Sequence, residues 1–367
     1  MIRSIAFAIL LATLLPIAAL ASNDSLVVGE PRTYGRLTVF PIESQNQSHH
    51  TYLTLEEALR TGRAIIHENN SQKLWIVNLS DTDLYIESTE ILKGGQQDRM
   101  VESDMIIPAY DTDYTLHVYC VEKGRSTRRY DEPIETFSGS SELAPMHHMR
   151  VVARHELTAM LLTPHLGGLT APDPDELKLM DALGTMPQFN VVTDAAQESI
   201  WHDVSQTQSA LTNVLKDSVT RNESPTSLEL ALENTSLQEK RHDYEKRLGD
   251  LASDDKNSIG VIYALDGKIV GGDVYASHTL FASMWPKHLR AMATEAIALP
   301  SSHDPTPALT KDAILDFLTA STPGKTAKKQ VNDRTLTEAI ESQNAFIFTT
   351  RDAQFPEVVV HRGWVVK

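Results

Sequence analysis

A single cysteine, Cys120, among 367 residues rules out any internal disulfide. Small exported scaffolds are normally stapled, so this chain must be held by its core. The lone thiol also excludes cysteine-based structural zinc and iron–sulfur centres. Cations are scarce: 33 Lys and Arg face 49 Asp and Glu, and the net charge of −16 disfavours any phosphate-backbone partner. Nucleic acid is therefore not expected, and anionic lipid would be repelled. Beyond the N-terminus no apolar run is long enough to span a bilayer. A solenoid repeat, a Gly-x-Ser-x-Gly elbow and a P-loop are also missing, and Gly94-Gly95 is too little for a phosphate cradle. His155-Glu156 lacks the following histidine that a helical zinc-protease motif needs.

What is present begins with an export signal. Met1-Ile2-Arg3 precedes an apolar run over residues 5–20, and Ala19-Leu20-Ala21 ends it before polar Ser22-Asn23-Asp24. A basic start, an apolar middle and a small-x-small end are what a signal peptidase reads. Residues 1–21 are thus expected to be a signal peptide, with the mature protein extracytoplasmic, periplasmic or secreted. Pro16 and the short apolar stretch disfavour an uncleaved anchor, and no cysteine is available for a lipoprotein anchor. Residues 22–33 read as a linker and 34–367 as one large domain. Its stretch at about 131–190 reads as an irregular insertion, broken by Pro145, Pro164, Gly167-Gly168, Pro172 and Pro174.

The first half reads as β, with strands expected over 37–42, 64–67, 74–78, 84–87, 105–108 and 115–122. Between the first two, Thr54 with Glu57 forms a capping box for a short helix. Residues 142–162 read as helical within an irregular connection of one or two short helices, and beyond it helical periodicity takes over. Asp194 with Gln197 starts one helix, carrying Trp201, Val204, Leu211 and Leu215 on one face, and another spans 237–251. Asp266-Gly267 between alternating apolar runs predicts a hairpin with a primed turn. A helix over 280–298 follows, then short helices near 313–318 and 336–340, and closing strands at 346–349 and 358–361. The expected class is α+β, a β-rich N-terminal half with C-terminal helices packed on a hairpin.

Two segments are more polar than a sheet requires: residues 90–99 and 118–125. Strand alternation puts Leu116, Val118, Cys120 and Glu122 on one face, so a carboxylate continues an apolar row. The economical arrangement is Arg99 or Arg125 forking onto Glu122 or Glu90. Gln97, Arg99 and Arg125 with Gly94 and Gly124 are then the candidate ligand-binding residues, for a small anionic or nucleotide-like ligand. Cys120, Glu122 and Glu90 are the candidate catalytic groups, with Cys120 needing a base such as His67, because His117 lies on the opposite face. The same residues also read as an ion-pair cluster that only locks two strands together. Met146-His147-His148-Met149 has donors that suit copper, but adjacent residues do not converge on one ion, and no metal is expected. No cofactor is implied. Three classes stay open: a binding module, a hydrolase or transferase, and a structural interaction protein.

The order Thr54-Leu55-Glu56-Glu57-Ala58, Glu68, Val77-Asn78-Leu79-Ser80-Asp81, Glu90-x-Leu92-x-Gly94-x-x-Gln97-x-Arg99 and Cys120-Val121-Glu122-x-Gly124-Arg125 resembles the ADP-ribosylglycohydrolase-and-rhodanese-phosphatase-associated protein domain family. Gln197-x-x-x-Trp201, Ser224-x-Thr226, Gly260 with Asp273, and Trp285 ahead of Glu295-Ala296 fit the same pattern, which covers the chain from about Tyr34 onward. The chain departs from the pattern at Ser126, where an aromatic often follows the glycine-arginine pair. The Pro- and Met-rich stretch around 141–190 looks like an addition. The resemblance implies no particular reaction; the family name records an association with ADP-ribose and phosphate chemistry.

Overall fold

Antiparallel pairing dominates the molecule. The computed structural model describes residues 26–367 except 71–72, 112–113, 128, 130–131, 133–135, 146, 155–156, 159–160, 162–186, 301–307 and 322. The expected signal peptide, Met146, His155-Glu156 and most of the expected insertion lie outside the described residues.

The N-terminal half forms a six-stranded sheet in the order Phe137–Leu143, Glu90–Gly94, Arg99–Val101, Tyr114–Cys120, Lys73–Asn78, Ala64–Asn70. A three-stranded sheet beside it pairs Met105–Ile107, Leu84–Ile86 and Leu53–Thr54. Helix Leu55–Arg60 covers this half, burying Leu55 and Ala58 with Ile66, Leu74, Ile86, Leu116 and Val118. Thr54 is extended at its N-cap, but its side chain makes no capping hydrogen bond, so the expected capping box does not form.

A nine-stranded sheet carries the rest. Leu37–Glu43 pairs with Ser258–Leu265, which continues through Lys268–Tyr275, Phe355–Val366, Ala345–Asp352, Thr335–Glu341 and Lys325–Gln330. Val27–Val28 and Arg32–Tyr34, in the stretch read as a linker, pair with Leu37–Glu43. Asp266 and Gly267 take φ of 47° and 69°, as a primed hairpin turn demands. The sheet is built from the first described strands, Val27–Val28 and Arg32–Tyr34, together with the C-terminal ones, so the two ends of the described chain share one layer.

Helix His278–Ala298 packs against Ser258–Leu265 and helix Thr235–Leu248. Its inward row of Leu280, Phe281, Trp285, Leu289 and Met292 fills the largest core. On the other face of the nine-stranded sheet, helix Lys311–Ala320 buries Ile314 and Phe317 against Phe40, Ile262 and Trp364.

Three local expectations are corrected. Residues 336–340 are not helical; they lie in strand Thr335–Glu341, where Thr335, Thr337 and Ala339 are buried and alternate with less buried neighbours. A period of two, with β-branched residues facing in, outweighs a helical reading of so short a run. Helix Pro187–Leu215 starts well before Asp194, which lies inside it. Residues 142–143 close a strand, and the helix that follows is His147–Ala153.

Candidate functional site

The candidate residues fall into two adjacent groups, with Glu90 apart from both. In the first, antiparallel pairing sets Arg99 opposite Cys120. Arg99 Nη1 donates to Gln97 Oε1 at 2.9 Å and to Cys120 Sγ at 3.1 Å, and Nη2 donates to Glu68 Oε1 at 3.0 Å. Glu68, from the edge strand Ala64–Asn70 two strands beyond Tyr114–Cys120 in the sheet order, rather than Glu122 or Glu90, is the carboxylate that Arg99 meets. Burial pushes the Cys120 thiol pKa up despite Arg99, which disfavours the thiolate a nucleophile needs.

In the second group Arg125 Nε lies 2.6 Å from Glu122 Oε2, and its Nη groups donate to the carbonyls of Gly94 and Gly95 at 3.3 and 3.1 Å. Gly94, Gly95 and Gly124 have φ of 134°, 55° and 86°, which glycine takes without strain. At Gly95 a Cβ would also strike the Phe137 ring at 2.4 Å. Three residues outside the candidate set, Asp98, Arg129 and Ser227, complete the group. Arg129 donates to both Asp98 oxygens, at 2.9 and 3.0 Å, and reaches Glu122 at 3.2 Å. Ser227 Oγ donates to Asp98 at 3.1 Å while accepting from Leu230 N as a helix N-cap. Asp98 and Glu122 are wholly buried. Burial, with Glu122 beside it, pushes Asp98 up to about 6 against the pull of Arg129 and Arg125. This is a packed ion-pair cluster.

Glu90 takes part in a different and larger network that runs through the centre. Lys287 Nζ donates to Glu90 Oε1 at 2.6 Å, and Glu90 Oε2 accepts from Glu87 N at 2.9 Å. Burial raises the Glu90 pKa more than Lys287 lowers it. Next to it lies a chain of alternating carboxylates and imidazoles. His361 contacts Asp104 through Nδ1 at 2.7 Å and Asp273 through Nε2 at 3.1 Å. His288 contacts Asp273 through Nδ1 at 3.3 Å and Glu87 through Nε2 at 3.1 Å. Tyr275 donates to Glu87 Oε2 at 2.7 Å and stacks on His361 with centroids 4.8 Å apart. Arg150 forks onto Asp273, and Arg154 Nη2 donates to Asp104 at 2.9 Å.

The electrostatics follow from charge counting. Glu87, Glu90, Asp104 and Asp273 face three fixed cations, Arg150, Arg154 and Lys287. With neutral histidines one buried negative charge stays uncompensated, and each imidazole also lies between two carboxylates, His288 between Glu87 and Asp273 and His361 between Asp104 and Asp273, which favours the doubly protonated form of both. Burial alone would lower their pKa values, but Glu87 with Asp273 raises His288 to about 9, and Glu87 with Asp104 raises His361 to about 10. Burial is likewise outweighed at Asp104 by His361 and Arg154, and at Asp273 by Arg150 and His288; both carboxyls are held below their usual range. Gly363 makes room: a Cβ there would lie 3.0 Å from both Arg150 Nη2 and Asp273 Oδ1.

Among the described residues two groups bring together donors that could hold a metal. Glu87, Asp273 and His288 have donor atoms within 4.8 Å of one another, as do His50, Asp83 and Asp352. In each a guanidinium already sits on the carboxylates: Arg150 on Asp273, and Arg334 on Asp83 and Asp352 at 2.8 Å. The Met146–Met149 run does not converge in its described part, since Met149 is fully buried while His148 is exposed and pairs with Asp203 at 2.7 Å.

Open space lies elsewhere. A cavity of about 370 Å³ sits on the opposite face of the nine-stranded sheet from the network, with Leu26, Ile259, Val274, Ala276 and Val358 as apolar walls. Ser44, Asn46, Ser48, His49, Glu357 and Arg362 supply its polar lining. Register explains the division. Val274 pairs with Arg362, and Asp273 with Gly363, so alternation sends Val274 and Arg362 to the cavity and Asp273 and His361 to the network, while Tyr275, whose hydroxyl joins the network, also borders the cavity.

An antiparallel α+β scaffold with a saturated ionic interior and a lateral cavity is the class that fold and site define. A family model, the ARG and Rhodanese-Phosphatase-superfamily-associated Protein domain, ARPP-1, matches residues 25–362, and the chain belongs to that family. No curated protein and no solved structure matches it.

Among the described residues no helix is long and apolar enough to cross a membrane. Sequence reading missed Glu87, Asp104, His288 and His361, and named Asp273 only within the family resemblance. Asp273 carried a faint signal: it stands in a Gly-Gly-Asp-Val run on a hairpin strand and shares a face with Tyr275.

Proposed function

We propose that this is an exported protein that binds a small ligand in the cavity beside Val274, Val358 and Arg362. The observation that carries this reading is the cavity itself. Its volume of about 370 Å³ is that of a small-molecule site, with apolar walls and a few polar groups to fix orientation. The cluster of Gln97, Arg99, Glu122 and Arg125 supports binding less well, because its charges are already paired within the protein. A reaction at Cys120, Glu90 or Glu122 is also less favoured: the thiol pKa is raised, and the two carboxylates are held by Lys287 and by Arg125 and Arg129.

A thermal-shift screen of mature protein against carboxylates, nucleotides and ADP-ribose tests the reading. The expected hits lose their effect in Val358→Phe, which fills the cavity, and keep it in Arg99→Ala. The reverse pattern would move binding back to the strand cluster. Export is tested on the protein expressed with its leader: mass spectrometry of the extracytoplasmic fraction is expected to find a chain beginning at Ser22, and an intact Met1 start in the cytoplasm would refute it.

A further inference from the structure

We infer that the ligand is a sugar-bearing molecule, with its apolar part in the cavity beside Val274 and its uncharged, hydroxyl-rich part laid along residues 45–51. This deepens the cavity reading and rests on it. A second hollow, of about 550 Å³, adjoins the first, and residues 46–49 line both. The rest of its wall is Gln45, His50, Thr51, Ser277 and Thr279. Residues 45–51 thus carry amides, hydroxyls and imidazoles but no Asp, Glu, Lys or Arg, in a chain that is 22% charged. The first cavity adds one residue of each sign, Arg362 and Glu357. The joined space therefore selects for neither anion nor cation.

The loop between the two hollows is fixed in place. Ser48 N donates to the Ala276 carbonyl at 2.8 Å. Gln47 Nε2 donates to the carbonyls of Ser44 and Lys256 at 3.1 and 2.9 Å, and its Oε1 accepts from His278 N at 2.7 Å. His50 meets Asp83 at 3.0 Å and packs on Tyr52 and Phe355. The side chains of Asn46, His49 and Thr51 are left over, exposed and without a hydrogen-bond partner among the described residues. Sugar hydroxyls both donate and accept, as amides and Ser and Thr hydroxyls do, so the two surfaces match without a charge. A loop that is already ordered makes those contacts at little entropic cost. Leu26, Ile259, Val274 and Val358 offer burial to a hydrocarbon part and no hydrogen bonds.

Isothermal titration of mature wild-type protein with hexyl β-glucoside, 1-hexanol, glucose and hexyl β-glucuronide tests the inference, with Asn46→Ala, His49→Ala and Val358→Phe alongside. The glucoside is expected to bind wild type about ten-fold more tightly than hexanol, the gain from one or two hydrogen bonds, and more tightly than glucose. The charge on the glucuronide is expected to add nothing. Asn46→Ala and His49→Ala are expected to remove most of the ten-fold gain and leave hexanol unchanged, whereas Val358→Phe weakens hexanol and glucoside alike. A glucoside no tighter than hexanol, or unchanged in both loop variants, would overturn the sugar assignment and leave the cavity reading standing. Glucuronide binding above the glucoside would overturn the uncharged character, and glucose matching the glucoside would overturn the apolar anchor. If neither hexanol nor the glucoside binds, or if Val358→Phe changes nothing, the cavity reading fails as well. The wild-type series needs no variant to fold.

Discussion

Arg150 and Gly363 are where the buried network is most exposed to a single substitution. Arg150→Met would leave Asp273 buried with its main cation gone, a change that costs about 3–5 kcal/mol when one partner of a buried pair is removed. Urea denaturation at neutral pH measures it, and a loss under about 1 kcal/mol would mean that His288 and His361 carry Asp273 unaided. Gly363→Ala adds a methyl 3.0 Å from two charged atoms, where neither partner can retreat without losing the other. Overpacking of this kind costs about 1–3 kcal/mol. Cys120→Ser, by contrast, is expected to leave ligand binding intact, because Cys120 is distant in role from the cavity and Arg99 is held by Glu68 and Gln97 as well.

At the scale of elements, Ser227 has two duties. It caps helix Leu228–Leu232 and donates to Asp98, so it ties that helix to the strand cluster. Ser227→Ala is expected to cost about 2 kcal/mol, the upper end for a cap, and to loosen amide protection at Val121 and Leu228, whose backbones pair across this junction. Protection unchanged there would place the energy elsewhere. Strands, hairpin and long helices were legible in the sequence because each repeats its local pattern over many residues. Asp266-Gly267 fixed one turn outright, and the inward row of Phe281, Trp285, Leu289 and Met292 fixed one helix. Thr335–Glu341 was not legible, since a short run of Thr, Leu, Glu and Ala carries either period until flanking strands decide. The strand cluster was half legible. Arg125 with Glu122 follows from nearness in sequence, whereas Glu68, Asp98 and Arg129 meet through pairings that a linear pattern does not display. The His288 and His361 network was hidden for the same reason, its members coming from six separate segments.

The whole molecule has a charged interior, and its stability should follow pH accordingly. His288 and His361 have folded pKa values of about 9 and about 10, above the usual 6.5. Their contribution is therefore complete below 6.5 and is lost as pH rises towards 9 to 10. Asp104, Asp273 and Glu87 are shifted the other way; the stability they add is present above their ordinary range and disappears as pH falls through and below it. Glu229 runs against these carboxylates. Burial raises it from 4.5 to about 8, so the folded state loses stability as pH climbs through that window. Urea midpoints from pH 4 to 10 are expected to fall on the alkaline side in wild type. Glu229→Gln is expected to flatten the part between 4.5 and 8, and an unchanged slope would show that Glu229 titrates normally.

With the ionic interior occupied by its own charges, the proposed ligand binding falls to the cavity on the other side of the large sheet. Amide and methyl chemical-shift mapping of the mature wild-type protein with its strongest thermal-shift ligand tests this most directly. The expected perturbations centre on Val274, Ala276, Val358 and Arg362. Perturbations centred on Arg99, Cys120 and Arg125, with the cavity residues silent, would contradict it.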